Sequence, residues 1–205
     1  MCANERLVNM GFTEKKWKPG IHMCLIYNDE SERRRVVGKF LEAGLLSGEK
    51  VDYFYDARSC EEVKAWLGDI GVKVHGESER QQIRVSAAKE IYCPEGIFSP
   101  EKMISLLKAH YTKTLAEGYP GARLTGEMEW ALKGIPGSEQ LVRYEDMVND
   151  ALKTHPITGM CQYDAKRFDG ETLFKILKVH PYMVANGQIV QNPYFAGSYE
   201  LNQNG

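Results

Sequence analysis

The sequence lacks the features that mark membrane-spanning, secreted and zinc-ribbon proteins. No stretch approaches the roughly 18 to 20 apolar residues that a membrane helix needs, and the polar N-terminal segment contains no signal-peptide core. The five cysteines are widely spaced and include no CxxC pair, so neither a disulfide framework nor a zinc ribbon is indicated. These absences predict a cytoplasmic protein with reduced thiols and no membrane partner.

An excess of positive charge is also missing. Lysine and arginine together number 26 against 28 for aspartate and glutamate, which gives a formal net charge of -2. A protein without a global positive field has no electrostatic means of attracting nucleic acid, so we expect no direct nucleic-acid binding. The basic run from Arg33 to Arg35 follows three acidic residues in the opening of a predicted helix. That pattern predicts a solvated helix face.

The sequence has no phosphate-binding loop after its first predicted strand. An ATP site of this kind needs GxxxxGK[ST], because bare backbone NH groups must wrap the phosphates. The segment YNDESERRR, which follows the strand, contains no glycine and begins with acidic residues that would repel a polyphosphate. The dinucleotide motif GxGxxG is absent too. We therefore expect neither ATP nor NAD as a cofactor.

Short apolar runs alternate with amphipathic segments along the chain. The predicted strands are IHMCLIY, KVDYFYD, IRVSAA, ARLTGEM and ITGMCQYD. Helical periodicity follows from Glu30 through Leu46, after Ser59, after Ser99 and Pro100, and on both sides of the fifth strand. Asn186 and Gly187 between two apolar pairs predict a β-hairpin. The pattern predicts an α/β fold with one core, a mainly parallel doubly wound sheet with helices on both faces and a C-terminal β-hairpin.

Ligands of such sheets bind beyond the carboxyl ends of the strands, and several candidate residues lie there. They are Tyr27, Tyr55, Glu127, Met128, Trp130, Tyr163, Asp164 and Arg167. The Glu127 carboxylate is placed to enter the pocket, with Met128 and Trp130 as its walls, although all three also fit core or solvated roles. For Asp164 the sequence supports equally a role in the ligand site and a local role, as the cap of the last helix or the partner of Arg167.

His22, Cys24 and Cys161 are candidates of a second kind. His22 and Cys24 are two residues apart on a strand and therefore face the same way, and Cys161 lies on another strand, so together they offer ligands for a soft metal. Against this, buried strand cysteines usually pack as small hydrophobes, and a strand histidine is usually hydrogen-bonded within the core. We predict that these residues line a ligand site and that no metal is bound.

Several motifs occur in the order in which they are found in a known family. GIHMCLIYND, GYPGARLTGEMEWAL, YED, CQYDAKRF and HPYMVANGQIVQNPY together resemble the MEDS domain, the methanogen/methylotroph DcmR sensory domain, from about Gly20 to Tyr194. The resemblance implies a RecA/KaiC-like fold with a degenerate phosphate loop, which senses small carbon compounds such as hydrocarbon derivatives. It divides the chain into an N-terminal extension, residues 1–19, and a single sensory domain, residues 20–205.

The predicted function is therefore a sensory or ligand-binding domain for a small organic or one-carbon-type compound. Family members often carry a DNA-binding or kinase-type output module, and this sequence shows none, so we expect output through a protein partner or a homodimer. The alternatives are a thiol-dependent enzyme that uses Cys24 or Cys161, or an interaction scaffold. No GxSxG or HExxH motif supports a particular catalytic class.

Overall fold

A computed structural model describes residues 6–72 and 82–197 of the chain. The strands are β1 (His22–Tyr27), β2 (Lys50–Tyr55), β3 (Ile83–Ala87), β4 (Ala122–Glu127), β5 (Thr158–Asp164), β6 (Tyr182–Ala185) and β7 (Gln188–Gln191). The α-helices are α1 (Glu30–Leu46), α2 (Cys60–Asp69), α3 (Ala88–Tyr92), α4 (Pro100–Ala116), α5 (Leu141–Thr154) and α6 (Gly170–Val179). Two short 3-10 helices, Glu129–Leu132 and Ser138–Gln140, connect β4 to α5.

The seven strands form one sheet in the order β3-β2-β4-β5-β1-β6-β7. All pairings are parallel except that of β6 with β7. Parallel neighbours need crossover helices, which explains why helices alternate with strands in the sequence. The β6–β7 turn holds Asn186 at φ 50° and Gly187 at φ 68°, the left-handed conformations that a two-residue hairpin requires. The predicted doubly wound sheet and C-terminal hairpin are confirmed.

Each face of the sheet has its own apolar core. Helices α1 and α2 cover one face with residues that include Phe40 and Trp66. Helices α3 to α6 cover the other face, where Trp130 and Leu107 lie in the core. β4 is buried at every position, and its polar residues Arg123, Thr125 and Glu127 are each hydrogen-bonded within the protein. The functional residues described below lie at the end of the sheet and within the second core.

Local capping chemistry sets the starts of the helices. Ser59 begins α2 with a complete capping box. Ser99 caps α4, and Pro100 takes the first helical position, where its missing N–H costs nothing. These predicted caps are confirmed. The short helix α3 was not predicted, because five residues are too few to show helical periodicity.

The connection from β1 to α1 is closed by the chain's own carboxylate. Asp29 is the N-cap of α1, and its side chain accepts hydrogen bonds from the backbone N–H groups of Ser31 and Glu32. A helix N-terminus at this position is a natural phosphate site, and here a side chain already satisfies it. The prediction that the arginine run faces solvent is wrong for Arg33, which is only 1% exposed. Its guanidinium points inward because it binds buried acceptors at the end of the sheet.

The segment before β1 packs against the domain. Val8 and Met10 are buried in the core that α1 and α2 cover, and Val8 forms a β-bridge with Trp17. The first five residues of the predicted extension and the last eight of the predicted domain lie outside the described residues. None of the described helices has the length and apolar character needed to cross a membrane.

Candidate functional site

The carboxyl end of the sheet is filled by a buried ion network around Arg33. Its Nη1 donates to Tyr53 Oη at 2.8 Å, to Gln162 Oε1 at 2.9 Å and to Glu127 Oε1 at 3.2 Å. Its remaining face pairs with Glu30, since Nε and Nη2 lie 2.8 and 2.7 Å from the two carboxylate oxygens. Three sequence-distant strands, β2, β4 and β5, therefore converge on a guanidinium that also pairs with Glu30 of its own helix.

Glu127 has both carboxylate oxygens engaged. Oε1 accepts from Arg33 and from the Tyr53 hydroxyl, and Oε2 accepts from the backbone N–H groups of Asp56 and Ala57, each at 2.7 Å. Burial raises the pKa of Tyr53 well above its ordinary value, so this phenol is a neutral donor. Glu127, predicted to reach into a ligand pocket, completes an internal network at this end of the sheet, and its contact with a ligand stays a prediction.

The aromatic and methionine candidates lie around that network or within the core. Met128 and Trp130 are fully buried, and the Trp130 ring stacks on Tyr92 with centroids 4.7 Å apart. Tyr27 is buried with its ring 5.6 Å from the Arg33 guanidinium, while Tyr55 is half-buried. None of these placements tests ligand contact, which stays a prediction for this group.

Asp164 closes a turn in the structure, while its predicted role in a ligand site stays a prediction. Its carboxylate accepts a hydrogen bond from the backbone N–H of Lys166 at 2.8 Å and so closes the turn after β5. The cap of α6 belongs to Asp169, whose side chain accepts from the Thr172 N–H. Arg167 is exposed and lies 3.6 Å from Glu129. Asp164 therefore stabilises a turn by an Asx-type contact. This contact is neither the predicted helix cap nor the predicted ion pair.

A second constellation lies within the core that α3 to α6 cover. His22 of β1, Glu145 of α5, Cys161 of β5 and His180 after α6 bring one ligand atom each to within 4.8 Å of one another. Glu145 Oε2 is 3.0 Å from His22 Nε2, 3.4 Å from Cys161 Sγ and 3.5 Å from His180 Nε2. Cys161 Sγ is 3.6 Å from His22 Nε2. We call these four residues the tetrad.

Surrounding groups fix the orientation of each tetrad member. His22 Nδ1 is 2.8 Å from Asn149 Oδ1, and His180 Nδ1 is 2.8 Å from the Ile176 carbonyl oxygen. The Tyr163 hydroxyl donates to the second oxygen of Glu145 at 2.6 Å. Burial and the neighbouring His22 lower the pKa of His180, which favours a neutral ring. Tyr163, predicted as a ligand contact, thus acts on the tetrad through Glu145.

Of the two candidate cysteines, only Cys161 belongs to the tetrad. Cys24 pairs with Cys161 across the β1–β5 ladder, but its Sγ lies 3.8 Å from the Tyr182 carbonyl oxygen. Burial raises the pKa of Cys24 to about 12, and burial together with Glu145 raises that of Cys161 well above 9. A nucleophilic cysteine needs a lowered pKa, so neither thiol has the environment that the enzyme alternative requires.

An interior cavity of about 40 Å³ adjoins the tetrad. Its apolar wall is formed by Phe54, Met103, Leu107, Leu124, Val148, Leu152, Ile157 and Met160. Its polar groups are His22 and Cys161, together with the hydroxyl-bearing side chains Thr125, Tyr92 and Tyr144. The cavity therefore lies between the sheet and helices α4 and α5, and its lining includes His22 and Cys161, two of the predicted ligand residues.

A surface pocket of about 370 Å³ reaches the same residues from outside. Its lining includes Asn149, Pro181 and Phe195, and it shares His22 and Leu152 with the interior cavity. These two side chains therefore lie between the interior cavity and the surface pocket.

Sequence reasoning missed Arg33, Glu145 and His180 as functional residues. Glu145 had a detectable signal, because it lies four residues after Leu141 and three before Val148, on the apolar stripe of α5. A carboxylate at a core-facing position is rare unless it has partners. His180 was assigned only to a turn, and nothing in its local sequence indicates that it meets three other segments.

Comparisons with known proteins agree with this architecture. The chain is 26% identical over 160 residues to the transcriptional repressor DcmR of Methylorubrum extorquens, a match that covers 78% of this chain and 57% of the relative. A KaiC-like protein of Pyrococcus horikoshii superposes with a TM-score of 0.61 at 12% identity, over 94% of this chain and 92% of the other. FlaH, a flagellar accessory protein of Methanocaldococcus jannaschii, superposes with a TM-score of 0.56 at 12% identity, over 83% and 75%.

The structural neighbours establish a KaiC/RecA-like fold. The chain spans little more than half of the DcmR relative, so that protein's activity as a whole is not thereby assigned to it. The family model of MEDS, the methanogen/methylotroph, DcmR sensory domain, matches residues 21–181, which is most of the chain. The chain therefore belongs to the MEDS sensory-domain family.

Proposed function

We propose that this domain senses a small, largely apolar, one-carbon-type molecule that binds in the interior cavity beside the tetrad. Membership of a sensory-domain family and the relation to a transcriptional repressor support a sensory or regulatory role. The single observation that carries the proposal is the cavity itself, which joins an apolar wall to a polar end made by His22 and Cys161. Small-molecule sites are typically built in this way.

The size of the cavity limits the ligand. One water molecule needs roughly 10 to 15 Å³ of such space, so about 40 Å³ accommodates a molecule of about three non-hydrogen atoms. The eight apolar lining residues favour a methyl or similar group. The buried polar groups at the other end favour a single polar substituent. Larger metabolites would have to displace well-packed side chains.

The lining residues also connect the cavity to the surface. The rings of Tyr92 and Tyr144 pack edge to face with centroids 6.0 Å apart at the cavity, and Tyr92 stacks on Trp130 of the β4–α5 connection. A ligand that moves the tyrosine pair therefore moves the segment between Glu127 and Gly137 or helix α5. Ligand binding would favour one conformation of this surface over another and so change its affinity for a partner protein. The partner is a regulatory protein or a second copy of this chain.

A binding series on the purified chain tests the proposal. Methanol, methylamine and chloromethane are compared with their four-carbon homologues by thermal unfolding and by isothermal titration calorimetry. A ligand at about 100 times its Kd stabilises the folded state by about 2.7 kcal/mol, or roughly 5 to 10 °C in Tm for a chain of this size. We expect at least one one-carbon compound to stabilise the protein and the four-carbon compounds to have no effect.

Gly159→Ala is the variant that fills the cavity. Gly159 and Cys161 lie on the same face of β5, and a Cβ built at Gly159 would meet Ile21 O at 3.9 Å and His22 Cδ2 at 4.0 Å, which is ordinary contact. The added methyl group should abolish ligand stabilisation without unfolding the chain. The matched control is Gly68→Ala, where a Cβ meets no described atom within 4 Å. Equal ligand responses in both variants would refute the cavity as the binding site.

A further inference from the structure

The tetrad contains two imidazoles whose lone pairs point at acceptors. Asn149 donates its amide N–H to the Val179 carbonyl at 2.7 Å, which turns its oxygen towards His22 Nδ1. The partner of His180 Nδ1 is the Ile176 carbonyl, which accepts only. Both Nδ1 atoms therefore carry hydrogen, and a neutral ring then has its lone pair on Nε2.

These lone pairs converge on a buried carboxylate. Glu145 is fully buried, and both Nε2 atoms face its Oε2 atom. His180 is also fully buried, and its Nε2 has no hydrogen-bond partner. When both rings are neutral, neither Nε2 atom has a hydrogen to share with Oε2, whose donor within the tetrad is the Cys161 thiol, and the unsatisfied buried nitrogen of His180 is costly. A cation at the centre would satisfy both Nε2 atoms and the carboxylate.

We propose that the tetrad of His22, Glu145, Cys161 and His180 binds one divalent transition-metal ion of the zinc class. For zinc bonds of about 2.0 to 2.3 Å, tetrahedral geometry places two nitrogen or oxygen ligands about 3.3 Å apart and a sulfur and a nitrogen about 3.6 Å apart. Four of the six separations between ligand atoms are 3.0, 3.4, 3.5 and 3.6 Å, and the other two, from His180 to His22 and to Cys161, are at most 4.8 Å. Four of the six edges thus already have the length expected of a tetrahedral site.

Charge and orientation agree with a bound dication. On metal binding, Cys161 releases its thiol proton to solvent, and the resulting thiolate and the Glu145 carboxylate balance a charge of two. The buried site is then neutral overall. Asn149, the Ile176 carbonyl and Tyr163 hold three of the ligands by their other atoms, as outer-shell groups do at metal sites. The site takes one ligand from each of four segments, β1, α5, β5 and the end of α6, so it also ties them together.

This inference goes beyond the sensing function, because the ion would be present with or without a cavity ligand. The cavity touches the site at His22 and Cys161. A bound one-carbon molecule would therefore contact the coordination sphere on that edge. The two proposals are tested by different measurements. Metal content tests the tetrad as a metal site, and ligand-induced stabilisation tests the cavity as a ligand site.

Metal content and cobalt spectroscopy on the full chain test the site. The protein is stripped with a chelator, reconstituted with Zn²⁺ or Co²⁺, desalted and analysed for bound metal. We expect one ion per chain and, with Co²⁺, a thiolate-to-cobalt charge-transfer band with tetrahedral ligand-field absorption. Less than about a tenth of an equivalent after reconstitution, or a bound Co²⁺ without the thiolate band, overturns the assignment.

Two cysteine variants provide a matched pair. Cys161→Ser removes the sulfur ligand, whereas Cys24→Ser alters the neighbouring buried cysteine, which lies outside the tetrad. We expect Cys161→Ser to lose the charge-transfer band and Cys24→Ser to keep it. Asn149→Leu removes an outer-shell partner and should weaken metal affinity by about 10- to 100-fold. Retention of the band in Cys161→Ser, or its loss in folded Cys24→Ser, contradicts the proposed ligand set.

Discussion

Arg33 Nη1 lies 3.2 Å from Glu127 Oε1, and both side chains are almost completely buried. The pair lies at the carboxyl end of a parallel sheet, where α/β proteins usually bind their ligands. In this protein the end of the sheet holds an internal ion pair, and the cavity lies between the sheet and α4–α5. The KaiC/RecA-like fold thus carries a buried ion pair at this end of its sheet.

Removal of Arg33 should strongly destabilise the fold. Arg33→Ala leaves the Glu127 carboxylate buried without its cationic partner, and the loss of one member of a buried pair costs about 3 to 5 kcal/mol. Urea unfolding followed by circular dichroism measures the change. Arg35→Ala, on an exposed position of the same helix, is the control and should change stability by less than about 0.5 kcal/mol. If Arg33→Ala lowers the free energy of unfolding by less than about 1 kcal/mol, the network does not stabilise the fold as predicted.

The same network predicts weak or absent ATP binding. The Asp29 carboxylate satisfies the first turn of α1, and the Arg33–Glu127 pair fills the adjoining space. Isothermal titration calorimetry with Mg²⁺ and ATP should show no saturable heat up to about 1 mM, a Kd that corresponds to about -4.1 kcal/mol. Tight, magnesium-dependent ATP binding would overturn this prediction and restore a nucleotide role for the sheet end.

Acid should weaken the domain partly through Glu30. Burial raises the pKa of this carboxyl group, but hydrogen bonds and charge from Arg33 and Arg34 outweigh burial and lower the pKa to about 2. A folded-state pKa below the ordinary value of 4.5 means that the contribution is complete above pH 4.5 and is lost as the pH falls towards 2. Because Glu30 is partly exposed, solvent screening limits the effect to about 1 kcal/mol.

Glu30→Gln tests that pH dependence. The free energy of unfolding, measured in urea between pH 7 and pH 2, should be lower than that of the wild type at pH 7 and converge with it near pH 2. Glu32→Gln removes a carboxylate from the same helical turn and leaves the Arg33–Glu30 pair intact. A constant difference between Glu30→Gln and wild type across this range would contradict the assigned pKa.

The buried thiols should be slow to react. Cys24 is completely buried and its pKa is raised to about 12, whereas Cys60 is half-buried at the start of α2. Native-state alkylation at pH 7, followed by peptide mass spectrometry, should therefore modify Cys60 at least about ten times faster than Cys24 or Cys161. Rapid, selective alkylation of Cys161 would revive the thiol-enzyme alternative.

The position of the predicted elements could be inferred because their signals are local. Ser59 and the Ser99–Pro100 pair begin helices through contacts within one turn, and Asn186–Gly187 closes a hairpin through its own backbone angles. The only sequence signal for Glu145 was a carboxylate at a core-facing position in the apolar stripe of α5. Local sequence gave the wrong prediction for Arg33. Its charged neighbours in the sequence indicated an exposed side chain, whereas the acceptors that bind its guanidinium come from β2, β4 and β5.

The sequence by itself determined the alternation of strands and helices, the helix caps, the hairpin and the absence of a phosphate loop, since each depends on residues only a few positions apart. Tertiary structure alone decided that His22, Glu145, Cys161 and His180 meet, and that Cys24 does not join them. The physical reason is that a site made of one atom from each of four segments leaves no periodic or spacing signal in any of them. Strand order and helix packing, which arise from the whole core, bring those atoms together.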